Sequence, residues 1–269
     1  MPEFLPKKIR TSSLLEIKQR GEKFSCLTSY DSLTAGIFDE AGIDLILVGD
    51  SAADNSLGYA TTLPITLDEM ISFTRAVKSS VKRALVVADM PFGSYETGAD
   101  DALRNAIRLV KEGGAEAVKL EGGQRSTSAI HAIVEAGIPV CAHLGFTPQS
   151  VNALGGFKVQ GKGDAAEILI EEAKAVEAAG AFAIVLELVP ADVAKRVEAA
   201  VAIPTIGIGA GSSTTSQILV WTDFAGLTPH APRKFVRQYA QIRETLASAA
   251  AAYRADVLAS NFPDTHESF

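Results

Sequence analysis

Four times along this chain the same local pattern recurs: a run with helical spacing, then a glycine, then an apolar stretch of strand length. The four are EAGID from Glu40, EGGAEAV from Glu112, EAGIPV from Glu135 and AAGAFAIV from Ala178. Glycine suits the left-handed residue that ends a helix, so each pattern reads as helix, stop, strand. A chain that repeats this unit is driven toward a parallel sheet, because each strand is reached through a helix that crosses back over the sheet.

Reading outward from these anchors places strands near 24–29, 44–49, 84–90, 115–121, 138–144, 181–188, 203–209 and 217–223. Apolar residues at three- and four-residue spacing mark helices in the gaps, as in TLDEMISFTRAVKSSV, ADDALRNAIRLVKEG, GDAAEILIEEAKAVEAAG and PADVAKRVEAAV. Eight such units predict a (β/α)8 TIM barrel; an open doubly wound sheet would rarely carry so many evenly spaced units in 269 residues. The unit before the eighth strand is the weakest, since SSTTSQILVWTDFAG leaves little room for a helix. Ser12 to Arg20 reads as an extra N-terminal helix, and residues 231–260 as one long amphipathic helix or two. The expected organisation is one barrel domain over 1–269, with an N-terminal segment at 1–23 and a C-terminal helical extension at 229–269.

At 47% hydrophobic and 21% charged, the chain can bury a large core. Its formal charge of -7, without a basic patch, argues against nucleic acid or an anionic membrane as partner and leaves small-molecule substrates. No segment reaches the roughly 18 apolar residues of a membrane span, and the N-terminus has no signal-peptide run, so a cytoplasmic location is expected. Cys26 and Cys141 fall in separate predicted strands and read as buried thiols, with neither disulfide nor metal-site spacing.

In such barrels the chemistry sits at the C-terminal ends of the strands. The polar residues there are Asp50 and Ser51 after the second strand, Asp89 at the third, Lys119 and Glu121 at the fourth, His143 at the fifth and Glu187 at the sixth. Lys119 and Glu121 stand two residues apart in VKLEGG and so share one face. Each residue alone has an ordinary explanation. The lysine and glutamate can form a solvated pair, Asp50 can cap a turn, and a lone histidine on an apolar strand is usually a core histidine. Glu187 resists such a reading best, because a carboxylate between leucines is costly to bury unless paired or functional.

Together, clustered acids at a barrel mouth call for a cation. Oxygen donors without cysteine fit Mg²⁺ better than Zn²⁺, and Asp50 and Asp89 suit the ion. Lys119 can form a Schiff base with a carbonyl substrate or stay charged and grip a carboxylate; the surrounding acids favour the ammonium. The glycine run GIGAG, 207–211, can cradle a phosphate, but no dinucleotide fingerprint continues from it.

The stretches LTSYD, LVGDS, TTLPIT, ADMPFGSY, AVKLEGG, AHLGFTPQSVNALGGFKVQG and IPTIGIGAG…QILVWTDFAGL, in this order from about Phe24 to the C-terminal FPDTHESF, resemble the ketopantoate hydroxymethyltransferase family, its actinobacterial branch in particular. The resemblance implies a (β/α)8 barrel that uses Mg²⁺ to move a hydroxymethyl group from 5,10-methylenetetrahydrofolate to 3-methyl-2-oxobutanoate, giving 2-dehydropantoate for pantothenate synthesis. It also implies a homo-oligomer, a decamer. Carried onto this sequence, it makes Asp50 and Asp89 metal ligands, with Glu121 in the metal set directly or through water. Asp50, Ser51, Asp89 and Lys119 would meet the keto acid, His143 would line the site, and Glu187 would be the proton acceptor.

The chain departs from the family pattern at Thr215 and Ser216, where Asp-Gly is usual, which puts the loop after the seventh strand and donor handling in question. Two rivals are a catalytically silent paralogue that binds a keto acid, and an Mg²⁺-dependent oxo-acid lyase of the isocitrate lyase type, whose Lys-Lys-Cys-Gly-His stretch is absent here. The segment GFTPQSVNALGGFKVQGKG is a candidate lid or subunit contact.

Overall fold

In the computed structural model, which describes residues 7–269, eight parallel strands close into a barrel in sequence order. They are β1 (Phe24–Thr28), β2 (Leu45–Val48), β3 (Leu85–Asp89), β4 (Ala117–Glu121), β5 (Val140–Gly145), β6 (Ala183–Glu187), β7 (Thr205–Ile208) and β8 (Ser216–Leu219). The helices are α1 (Thr11–Gln19), α2 (Ser32–Glu40), α3 (Ala52–Asn55), α4 (Leu67–Ser80), α5 (Ala99–Arg108), α6 (Thr127–Glu135), α7 (Val151–Leu154), α8 (Ala165–Ala178), α9 (Ala191–Ala200), α10 (Trp221–Phe224) and α11 (Ile242–Leu258). The first six residues of the expected N-terminal segment lie outside the described residues. The described residues divide into two compact units, one running to Val220 and the other from Trp221 to Phe269.

Local chemistry starts and stops the helices where the sequence signals it. Thr66 and Glu69 form a reciprocal capping box on α4, and Asp31 accepts from the amides of Leu33 and Thr34 at the start of α2. All four repeat glycines, Gly42, Gly114, Gly137 and Gly180, have positive φ.

Alternate residues of the strands fill the barrel. Phe24 and Cys26, Leu45 and Leu47, Leu85 and Val87, Ala117, Cys141, Ala183 and Val185, Ile206 and Ile218 form one buried cluster, joined by Leu14 of α1. Because the side-chain period of a strand is two, the next residues of the same rows are Asp89, Lys119, His143 and Glu187. One face of each strand thus supplies apolar core first and polar mouth last.

As the short spacing predicts, no helix separates β7 from β8. Two expectations change. The eighth strand ends at Leu219, not 223, because the chain turns into α10 at Trp221. In the second unit only α11 forms from 231–260, because the Tyr239 amide donates to the Phe224 carbonyl and that of Ile242 to Ala225, drawing the preceding backbone out of helix.

Candidate active site

The register of the strands brings the mouth residues side by side. Asp89 is the Cα partner of Lys119, Glu121 of His143, and Gly145 of Glu187. Asp50, Asp89, Lys119, Glu121 and His143 are all buried, each at most 4% exposed, so their charges act on one another with little screening.

Lys119 Nζ lies 2.8 Å from Asp89 Oδ1, an ion contact without the alignment of a hydrogen bond, and 3.2 Å from His143 Nδ1. Asp89 Oδ2 accepts from the Asp50 amide at 2.9 Å. His143 stands between two carboxylates, with Nδ1 3.3 Å from Glu121 Oε1 and Nε2 3.3 Å from Glu187 Oε2. Both spacings are a few tenths longer than a good N–H···O bond. Ser51 Oγ and the Tyr30 hydroxyl are 2.7 Å apart, and Tyr30 also accepts from Thr28.

The electrostatics follow from burial. Asp50 is pushed up to about 8 by burial and then by Asp89 and Glu121. Burial also raises Asp89, against the pull of Lys119. For Lys119, burial favours the neutral amine, but Asp89, Glu121 and Asp50 outweigh it and hold the ammonium. His143 is pushed down by burial and by Lys119, yet the carboxylates of Glu121 and Glu187 beside it carry it up to about 9.

These observations test whether the residues suit a divalent cation. Asp89 Oδ1 is buried without a hydrogen-bond partner, and burial with the neighbouring Asp89 and Glu121 drives Asp50 toward its neutral form. Among the described residues no three Asp, Glu, His or Cys side chains converge into a complete cage. A pair of carboxylates with remaining positions left to water and substrate oxygens is the usual arrangement for Mg²⁺, and the donor set fits it. Glu121 is committed elsewhere: its Oε2 accepts from the Gln149 amide at 3.0 Å and its Oε1 faces His143.

The Ketopantoate hydroxymethyltransferase family profile matches residues 8–265. The chain belongs to this family. It is 58% identical over 264 residues to the 3-methyl-2-oxobutanoate hydroxymethyltransferase of Leifsonia xyli subsp. xyli, covering 98% of this chain and 95% of that one. A second relative of that name, from Thermobifida fusca, is 53% identical, over 98% of this chain and 94% of its own. Among solved structures, phosphonopyruvate hydrolase in complex with oxalate and Mg++ is similar with a TM-score of 0.62 at 15% identity, over 96% of this chain and 93% of that one. 2,3-Dimethylmalate lyase, a PEP mutase/isocitrate lyase superfamily member, has a TM-score of 0.57 at 19% identity, over 96% and 89%. At those identities the likeness concerns the barrel alone.

The structure brings Asp50, Asp89, Lys119, Glu121, His143 and Glu187 together, leaves Ser51 on Tyr30, and adds two residues that the sequence reading missed. Gln149 Nε2 donates to Asp50 Oδ2 at 2.9 Å and to the Met90 carbonyl at 3.0 Å, and Gln149 Oε1 accepts from the Tyr95 hydroxyl. The same Tyr95 oxygen accepts from the Glu121 amide at 3.2 Å. Both residues sit in quoted motifs, GFTPQS and ADMPFGSY, in the loops after β5 and β3. GFTPQS is accordingly no free lid: Phe146 is fully buried, Pro148–Ser150 forms a 3-10 turn, and Gln149 ties it to the acids.

The departure at Thr215 and Ser216 falls elsewhere. Ser216 is the first residue of β8 and pairs with Phe24, the first of β1, so both residues lie at the N-terminal end of the barrel, opposite the mouth. The Thr215 hydroxyl donates to Glu198 Oε1 at 2.8 Å and the Ser216 hydroxyl to the Phe24 carbonyl at 2.8 Å.

One backbone feature marks the mouth. Leu188, directly after Glu187, has φ 49, a left-handed conformation that costs a non-glycine residue roughly 1–3 kcal/mol. It is held there by its amide on the Ile208 carbonyl and its own carbonyl accepting from Gln160, both at 2.9 Å.

Proposed function

We propose that the protein transfers a hydroxymethyl group from 5,10-methylenetetrahydrofolate to 3-methyl-2-oxobutanoate, giving 2-dehydropantoate. The observation that carries the reading is the pairing of Glu187 with His143 beside the buried Asp50, Asp89 and Lys119, all at adjacent strand ends. Membership of the family supports it.

In this reading Asp50 and Asp89 hold Mg²⁺, and Glu121 supports the set through water. When bound, the ion polarises the keto acid's oxygens. Glu187, with 12% of its side chain exposed, is the one acid of the cluster open toward the mouth and accepts the proton from C3 of the keto acid. His143 orients the Glu187 carboxylate through Nε2. Lys119, kept charged by its acidic neighbours, meets the substrate carboxylate as a fixed ammonium and not as a Schiff-base amine. Ser51, oriented by Tyr30, donates its hydroxyl to the same substrate. C3 then bonds to the methylene carbon and water supplies its hydroxyl oxygen as both of the carbon's bonds to the donor nitrogens break; the proton taken by Glu187 and one from water end on those nitrogens, and tetrahydrofolate leaves. From the family resemblance we propose a cytoplasmic homo-oligomer, a decamer; no described helix is long and apolar enough to cross a membrane.

The test is product formation. Purified protein with keto acid, donor and Mg²⁺ is expected to form 2-dehydropantoate, and exhaustive chelation to stop it. Full activity after chelation, or keto-acid binding without turnover, contradicts the reading.

A further inference from the structure

The loop that follows β4 and one face of α8 line a cavity of about 320 Å³ that none of the roles above uses. His143 is the wall it shares with the site. Its other lining includes Gly122 and Gly123, the apolar Leu169, and two charged groups, Arg125 and Glu172.

The two glycines of VKLEGG explain how those charges reach the loop. A Cβ on Gly123 would lie 2.4 Å from Glu172 Cδ, and one on Gly122 would lie 2.6 Å from Arg125 Nε. Only bare backbone allows both side chains to lie against it. Arg125 is anchored by Ser150 Oγ at 2.8 Å. Glu172 has no hydrogen bond or ion pair with any described residue, although it is half-buried, and burial raises its carboxyl against the pull of Arg125. Glu172 thus lines a cavity with an apolar wall, one carboxylate oxygen lying against Gly123 and neither held by a described residue. Its chemical complement is a flat heterocycle that offers two adjacent N–H donors, which a carboxylate takes in parallel.

We infer that this cavity seats the ring system of the one-carbon donor, with Glu172 accepting from the ring N–H and the neighbouring amino group of its pyrimidinone edge. The inference rests on the hydroxymethyl-transfer reading. His143, which lines this cavity and contacts Lys119 and Glu187, is the residue the two substrates would share.

Tetrahydrofolate is the probe, titrated against the wild type and Glu172→Gln by fluorescence, alongside an analogue that lacks the 2-amino group. The expected result is a loss of about tenfold or more in tetrahydrofolate affinity for the variant, the worth of a charge-assisted hydrogen bond. The analogue keeps the ring N–H and should lose clearly less affinity on going to the variant than tetrahydrofolate does. Equal tetrahydrofolate affinity in the two proteins overturns the inference, as does an equal loss for both ligands, which would make Glu172 a packing residue. Exchange of the C3 proton of the keto acid without donor separates the two claims. A wild type that fails to exchange defeats the transfer reading; one that exchanges while Glu172→Gln keeps its tetrahydrofolate affinity defeats only this assignment.

Discussion

Gln149 shows how a single neutral side chain organises a charged site. It donates to Asp50 and to a backbone carbonyl, accepts from Tyr95, and offers its own amide to Glu121. These partners are buried, so removing the amide leaves acceptors and a hydroxyl unsatisfied. Gln149→Leu should lower stability by about 1–3 kcal/mol in urea unfolding. It should also weaken Mg²⁺ by roughly 10- to 100-fold in calorimetric titration, the usual loss when the group orienting a ligand is removed. An unchanged Mg²⁺ affinity would mean that Asp50 does not need this support.

At the scale of elements, α2 and β3 are joined by Asp39, whose carboxylate accepts from the amides of Lys82, Arg83 and Ala84 at 2.6–3.1 Å. Burial pushes this carboxyl up, but the three amides outweigh it and hold it below the usual carboxylate range. A depressed folded pKa gives stability that is complete above the unfolded value and is lost as pH falls through the folded one. Asp39→Asn should therefore cost about 1–3 kcal/mol at neutral pH and flatten the stability loss as pH falls below the unfolded carboxyl's value of about 4, read by denaturation at each pH. The start of β8 offers a second test. Restoring the family's usual pair, Thr215→Asp with Ser216→Gly, sets a carboxylate against Glu198 and removes the bond to Phe24, so stability should fall by about 1–3 kcal/mol while kcat for transfer is unchanged. A faster transfer would show that this end of β8 reaches the donor after all. These two elements also show what the sequence can and cannot reveal. Strand ends with Asp50, Asp89, Lys119, Glu121, His143 and Glu187 were legible, because period-two rows run from apolar core into polar mouth. The end of the barrel to which Thr215 belongs was not, since it depends on β8 beginning at Ser216 straight after a loop with no helix. Gln149 and Tyr95 were hidden because their roles come from loops folding back, which no periodicity encodes.

Over the barrel unit as a whole, the two ends carry different duties. The N-terminal end is closed by α1: Leu14 is fully buried in the barrel cluster, and Lys18 Nζ donates to the carbonyls of Glu198, Val201 and Ile203 while pairing with Glu198 Oε1 at 3.1 Å. Leu14→Ala should cost about 2–5 kcal/mol, as cavities in a packed core do, and leave KM for the keto acid unchanged below the unfolding temperature. A raised KM at full folding would mean that the plug shapes the mouth. The C-terminal end carries the chemistry, and its central claim is that Glu187 removes the C3 proton. The direct measurement is deuterium exchange at C3 of 3-methyl-2-oxobutanoate, followed by NMR with Mg²⁺ and without folate. Wild type should exchange and Glu187→Gln should lose at least about 100-fold of the rate, the contribution of a positioned general base. Exchange at the wild-type rate in Glu187→Gln would contradict the account.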